Sequence, residues 1–188
     1  MSIFKFLKRG GKKPSKPYSN YLHIEPIDRE TIDFADDFFF KLSDKQVYDK
    51  IIELQKKQQY IYIMLNTFLK DFRGTKQQYV LFRIALAIDY CYNKFYNEIP
   101  FITQKKVVDF STFVAEDHEA DIARGELKMD TDKILRELNQ PYLIEMVALK
   151  QMLYHEDLNI LNEKESHAIG QFMTFIIPIY SEEVIINH

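Results

Sequence analysis

One stretch constrains the fold more than any other. Between Lys76 and Asn97, Leu81, Ile84, Ile88, Cys91 and Phe95 recur at helical spacing, while Tyr79, Val80, Phe82, Leu86, Tyr90, Tyr92 and Tyr96 occupy the remaining sides. A helix apolar nearly all round belongs at the centre of a bundle, where neighbours cover every face. Only Arg83 and Asp89 interrupt it, and Pro100 follows its end. The two charges are six residues apart and share no face. Buried charges are generally paired, so Asp89 is expected either to pair with an Arg or Lys from a neighbouring helix or to lie at a partly exposed edge. A functional acid with a raised pKa is the alternative.

The residues on either side extend the helical reading. From Asp28 onward, Ile32, Ala35, Phe38, Phe39 and Leu42 predict a first helix with one apolar face, and Ser43 is placed to cap the next. Val47, Ile51, Leu54, Gln58, Ile61, Leu65, Phe68 and Phe72 then alternate four-three spacing with Gln58 as the one polar member. This seam predicts a long second helix, closed by Gly74 as a left-handed cap. Residues 103–124 are ambiguous, since Val107, Phe110, Phe113 and Val114 suit a helix whereas 107–110 alone also suit a strand.

Beyond Gly125, Asp130 can cap a short helix carrying Ile134, Leu135 and Leu138. Pro141 fits the first turn of another, with Tyr142, Met146, Leu149 and Leu153 inward. Asn162 and Glu165 resemble a capping pair for a last helix bearing Ile169, Phe172, Met173 and Ile176, which Pro178 should disturb before a tail at 184–186 packs back. The expected fold is all-α, a compact bundle of six or seven helices with a long second helix and a central apolar third. Residues 1–17 read as a basic tail and linker, and 18–188 as a single helical domain.

Charge is unevenly distributed. The chain carries a net charge of −3, yet residues 1–16 hold six basic residues and no acid, which leaves −9 on the remainder. A body of that sign repels phosphate backbones and argues against nucleic acid as a partner; it suits a basic protein. Acids concentrate twice, in Asp28, Glu30, Asp33, Asp36 and Asp37, and in Glu116, Asp117, Glu119 and Asp121. The first set also has a local explanation, because acids near a helix start offset the helix dipole. Asp33, Asp36, Asp37, Glu116, Asp117, Glu119 and Asp121 are the candidate partner-binding residues.

The N-terminus gives a second surface. Ile3, Phe4, Phe6 and Leu7 fall on one arc of a helical wheel and Lys5, Lys8 and Arg9 on the other, followed by Lys12, Lys13 and Lys16. An amphipathic turn plus a polybasic tract is a two-signal scheme for reversible binding to anionic lipid. The apolar run is too broken for a signal peptide, and no stretch approaches the ~20 uncharged residues of a membrane span. The lone Cys91 forms no internal disulfide and reads as a buried core thiol. Cytoplasm is the expected compartment.

Catalytic patterns are sparse. The five glycines, at positions 10, 11, 74, 125 and 170, cannot build a Walker loop, a dinucleotide fingerprint or a Gly-x-Ser-x-Gly elbow. Asp117, His118 and Asp121 share a helical face, and two further places, His155-Glu156-Asp157 and Glu163 with His167, could complete a metal site. However, neither Glu-x-x-His nor His-Glu-x-x-His occurs, and a solvated acidic turn is the plainer reading. No catalytic residue, metal ligand or cofactor is therefore assigned. The leading expectation is a non-enzymatic, intracellular protein-binding module with an acidic surface, such as an immunity- or antitoxin-type inhibitor of a basic partner. Two alternatives remain. One is a helical metal-dependent enzyme or small-ligand protein using His118, His155 and His167. The other is a membrane-peripheral adaptor acting through residues 1–16.

Overall fold

Short polar signals set where the helices begin. The Asp28 carboxylate accepts from Thr31 N at 2.6 Å and starts α1, Arg29–Lys41. Ser43 opens α2, Asp44–Lys57, with a reciprocal box in which Ser43 N donates to Gln46 Oε1 at 2.9 Å and Gln46 N to Ser43 Oγ at 3.4 Å. The computed structural model describes residues 24–112 and 139–187. Its further helices are α3, Gln59–Leu69; α4, Thr75–Phe95; α5, over 104–112; α6, Pro141–Met152; and α7, Glu163–Asn187. A π-helical turn, Leu153–Asp157, prolongs α6. Among the described residues there are seven α-helices and no strand, so the fold is an all-α helical bundle.

α4 occupies the central position that its sequence demands. Val80, Leu81, Ile84–Ile88, Cys91 and Tyr92 are buried, and α1, α2 and α7 pack against it. Its tyrosines bring polar atoms into the core and satisfy them there. Tyr92 Oη donates to the Ile177 carbonyl at 3.2 Å and lies 2.8 Å from Ser181 Oγ. Tyr96 Oη accepts from Gln140 Nε2 at 2.9 Å, and Gln140 Oε1 in turn accepts from Ile27 N at 3.0 Å. These bonds tie the segment before α1, the end of α4 and the start of α6 together.

The seam expected to form one long helix is divided. Gln58 leaves the helical region at φ −134° and ψ 61°, ending α2 and starting α3. Its buried amide donates to the Pro100 carbonyl at 3.0 Å and accepts from Ile102 N at 2.9 Å. The one polar residue of the seam thus serves as both halves of a backbone pairing with the extended segment after α4. Both halves keep their apolar faces, Val47, Ile51 and Leu54 on α2 and Ile61, Met64 and Leu65 on α3.

Other expectations also shift. Gly74 is not a left-handed cap but sits in extended backbone, φ −165°, as the N-cap of α4. The inward stripe of α6 is Leu143, Met146 and Val147, leaving Tyr142 and Leu149 exposed, because Tyr142 instead lies beneath Arg29, whose guanidinium is 4.6 Å from the ring centroid. Residues 104–112 are helical, with Phe110 buried, so the strand reading of 107–110 falls away. α7 runs straight through Pro178 to Asn187. A proline inside a helix costs about 3 kcal/mol. Here Ile176, Ile177, Ile179 and Tyr180 are all buried around it, and their packing outweighs that cost. Val184 is accordingly a buried helical residue rather than part of a returning tail. The elements expected around Asp130, Ile134, Leu135 and Leu138 lie outside the described residues.

The Asn162–Glu165 pair does cap α7, with Glu165 N donating to Asn162 Oδ1 and Asn162 N to Glu165 Oε2, both at 2.8 Å. The fully buried Glu165 carboxylate also accepts from Arg73 N at 2.8 Å and from Arg73 Nε and Nη2 at 3.1 Å. Burial alone would raise its pKa; the bonds from Arg73 outweigh burial and hold it below the ordinary carboxylate range. This cluster locks the α3–α4 connection onto α7.

Candidate functional site: an acidic helix with outward aromatic rings

The first acidic cluster lies on α1, and much of it is engaged within the fold. Asp28 is a cap, Asp37 pairs with Lys41 one turn on, and Asp36 pairs with Lys150 of α6 at 2.7 Å. Lys150 also stands 4.6 Å over the Phe40 ring, so Asp36 helps to dock α6 onto α1. Glu30 and Asp33 are exposed and form no ion pair among the described residues. The exposed charge of α1 is therefore carried by Glu30, Asp33 and the pair partner Asp37, while Asp36 is half-buried against Lys150. Glu116, Asp117, His118, Glu119 and Asp121 lie outside the described residues, as do Ile3, Phe4, Lys5, Phe6, Leu7, Lys8 and Arg9.

Aromatic rings accompany these acids. Phe34 is 52% exposed and Phe38, expected inward, is 41% exposed. The two stack at 5.8 Å between centroids with 9° between planes, and Phe34 stacks on Tyr90 of α4 at 5.4 Å. Tyr90 and Phe38 both meet the buried Phe39, at 5.7 and 5.1 Å. The rings thus run from the core at Phe39 through a half-buried Tyr90 to two exposed phenylalanines. Sequence reasoning missed Phe34 and misplaced Phe38. The available signal was their spacing: as an i, i+4 pair they lie together, off the face shared by Ile32, Ala35 and Phe39.

The charges within α4 have structural partners. Arg83 Nη2 donates to the Leu42 carbonyl and to Asp44 Oδ1, both at 2.9 Å, closing the α1–α2 corner. Asp89 accepts from the Tyr180 hydroxyl of α7, a tyrosine rather than a basic residue. Burial pushes the Asp89 carboxyl up despite that bond. Cys91 is fully buried and its thiol is pushed up to about 12, chiefly by burial, so it holds no nucleophilic thiolate.

A pocket of about 440 Å³ opens between α6 and α7, and it brings together three residues singled out by sequence: His155, Glu163 and His167. Gln151 and Ser166 also line it. No group of three His, Cys, Asp or Glu side chains among the described residues is placed to hold a metal ion. No helix among them is long and apolar enough to cross a membrane. The chain matches no protein-family model, no curated protein and no solved structure.

Proposed function

We propose that the protein is a non-enzymatic, cytoplasmic binding module that engages a basic protein through the outward face of α1. One observation carries this reading: Phe34 and Phe38 stack side by side in solvent, flanked in sequence by the exposed carboxylates of Glu30, Asp33 and Asp37. Aromatic side chains are the anchors most enriched at the centres of protein interfaces, while a charged rim steers the encounter and selects the sign of the partner. An inhibitor that masks a basic protein, in the manner of an immunity protein or antitoxin, is the form this reading favours. The buried thiol of Cys91 is in keeping with a reducing compartment.

The experiment is affinity capture from the source lysate with the full chain and two variant baits, Phe34→Ser with Phe38→Ser, and Asp33→Lys with Asp37→Lys. A basic protein retained by the parent chain and weakened at least tenfold by each variant, with the charge variant acting mainly on association rate, supports the reading. A partner held equally by both folded variants overturns it.

A further inference from the structure

We propose that the pocket between α6 and α7 binds a small organic cation rich in N–H donors, an alkylguanidinium or alkylammonium group. Its volume of about 440 Å³ lies within the range of ligand sites. The inference rests on which hydrogen-bonding atoms the fold leaves over.

His155 Nδ1 lies 3.0 Å from the Leu161 carbonyl, which can only accept. Nδ1 therefore carries a proton, and in its neutral form the ring presents Nε2 as a lone-pair acceptor. Gln151 Nε2 donates to the Ser166 carbonyl at 2.7 Å, and no partner among the described residues engages its Oε1. Glu163 contributes a carboxylate with no ion pair among the described residues. Ser166 and His167 can donate or accept and so favour neither sign of ligand. Three acceptors, one of them charged, are thus set against no lysine or arginine among the described residues of the pocket wall, where Gln171, like Ser166 and His167, can donate or accept. An anion meets a carboxylate with nothing to compensate it; a guanidinium or ammonium finds acceptors for its donors.

Two local departures from regular helix shape the site. The π-helical turn, in which Leu158 N reaches the Leu153 carbonyl at 2.9 Å, carries His155, and such turns recur at functional positions. On α7 the wall contains Gly170, where an added Cβ would meet only Gln151 Nε2, at 3.7 Å. A Cβ at that position is therefore accommodated in ordinary van der Waals contact.

The test is a titration of the full chain with butylguanidinium, n-butylammonium and pentanoate, read by the imidazole ¹⁵N resonances of His155 and by calorimetry. Saturable binding of the two cations is expected, with Kd on the order of 1 mM for ligands of this size, together with a shift of the His155 Nε2 signal and no binding of pentanoate. Glu163→Gln should weaken butylguanidinium at least tenfold. Gly170→Met should abolish binding by filling the space while leaving the helical circular dichroism intact. Pentanoate binding as well as the cations, an unmoved His155 signal at saturating cation, or parental affinity in either folded variant would each overturn the proposal.

Discussion

α1 and α4 pack against each other and depart from the amphipathic rule in opposite directions. α4 carries two charges into apolar surroundings, whereas α1 carries two phenylalanines out into solvent. Each inward charge is explained by its partner, Arg83 by Asp44 and the Leu42 carbonyl, and Asp89 by the Tyr180 hydroxyl. A buried charge without partners would cost several kcal/mol, so the fold requires those contacts. An exposed ring carries no such requirement. Phe34 and Phe38 touch each other, Tyr90 and Phe39, and their remaining surface is left to water. Scattered exposed apolar residues are ordinary, but two stacked rings continuous with a third form a patch, and patches mark contact sites. In this molecule the intruding charges have partners within the fold, and the protruding rings are left exposed.

That contrast breaks most visibly in truncation experiments. Ile84→Ala, in the fully buried centre of α4, should cost about 2–5 kcal/mol in urea unfolding followed by circular dichroism. Phe34→Ser and Phe38→Ser should each cost about 1 kcal/mol or less. A Phe34 penalty equal to that of Ile84 would place the ring in the core and remove it from the proposed interface.

Two acids sharpen the same distinction through pH. Arg73→Ala leaves the buried Glu165 carboxylate without its cation and should cost about 1–3 kcal/mol at pH 7, discounted because Arg73 is largely exposed. Glu165 titrates below the usual carboxylate range, so its stabilising contribution is present above that range and is lost as pH falls through the lowered value. The penalty of Arg73→Ala should therefore shrink in acid. Asp89 has the opposite sign. Its raised pKa means that its contribution is present at acid pH and lost as pH rises through the folded value. Asp89→Asn retains an acceptor for Tyr180 and should be at least as stable as the parent at pH 7, with the advantage fading as pH is lowered toward 4. A variant destabilised at pH 7 and recovering in acid would show that an ionised Asp89 is needed by the fold.

The smallest folding effect belongs to the α1 surface. Asp33→Lys with Asp37→Lys should change stability by about 0.5–1 kcal/mol, since the Asp37–Lys41 pair is solvent-exposed and Asp33 has no pair among the described residues. A larger loss would assign these carboxylates to the fold itself.

Much of the fold was legible because its signals are local. Ser43 as a cap, Asn162 with Glu165, and Pro141 at a helix start each act within a turn or two, and the all-round apolarity of α4 left only a central position for it. The failures came where a distant partner decides. Gln58 breaks its helix to serve Pro100 and Ile102, more than forty residues away, and Pro178 is carried by the burial of its neighbours against the rest of the bundle. Within the candidate site, the acids of α1 were visible as composition. The pairing of Asp36 with Lys150, across more than a hundred residues, was not, and neither was the exposure of Phe38. The pocket was half legible, in that His155, Glu163 and His167 stood out as polar groups. The acceptor atoms left on His155 and Gln151 are set by the Leu161 and Ser166 carbonyls, which no spacing rule reveals.

The division between a stability helix and a recognition helix is tested most directly by hydroxyl-radical footprinting of the full chain, free and with its captured partner. In the free protein Phe34 and Phe38 should be oxidised many-fold faster than the buried Phe39 and Phe172, and in the complex both should be protected while the buried pair is unchanged. Phe34 and Phe38 as unreactive as Phe39 in the free chain, or equally reactive with and without the partner, would contradict the assignment of α1 as the binding face.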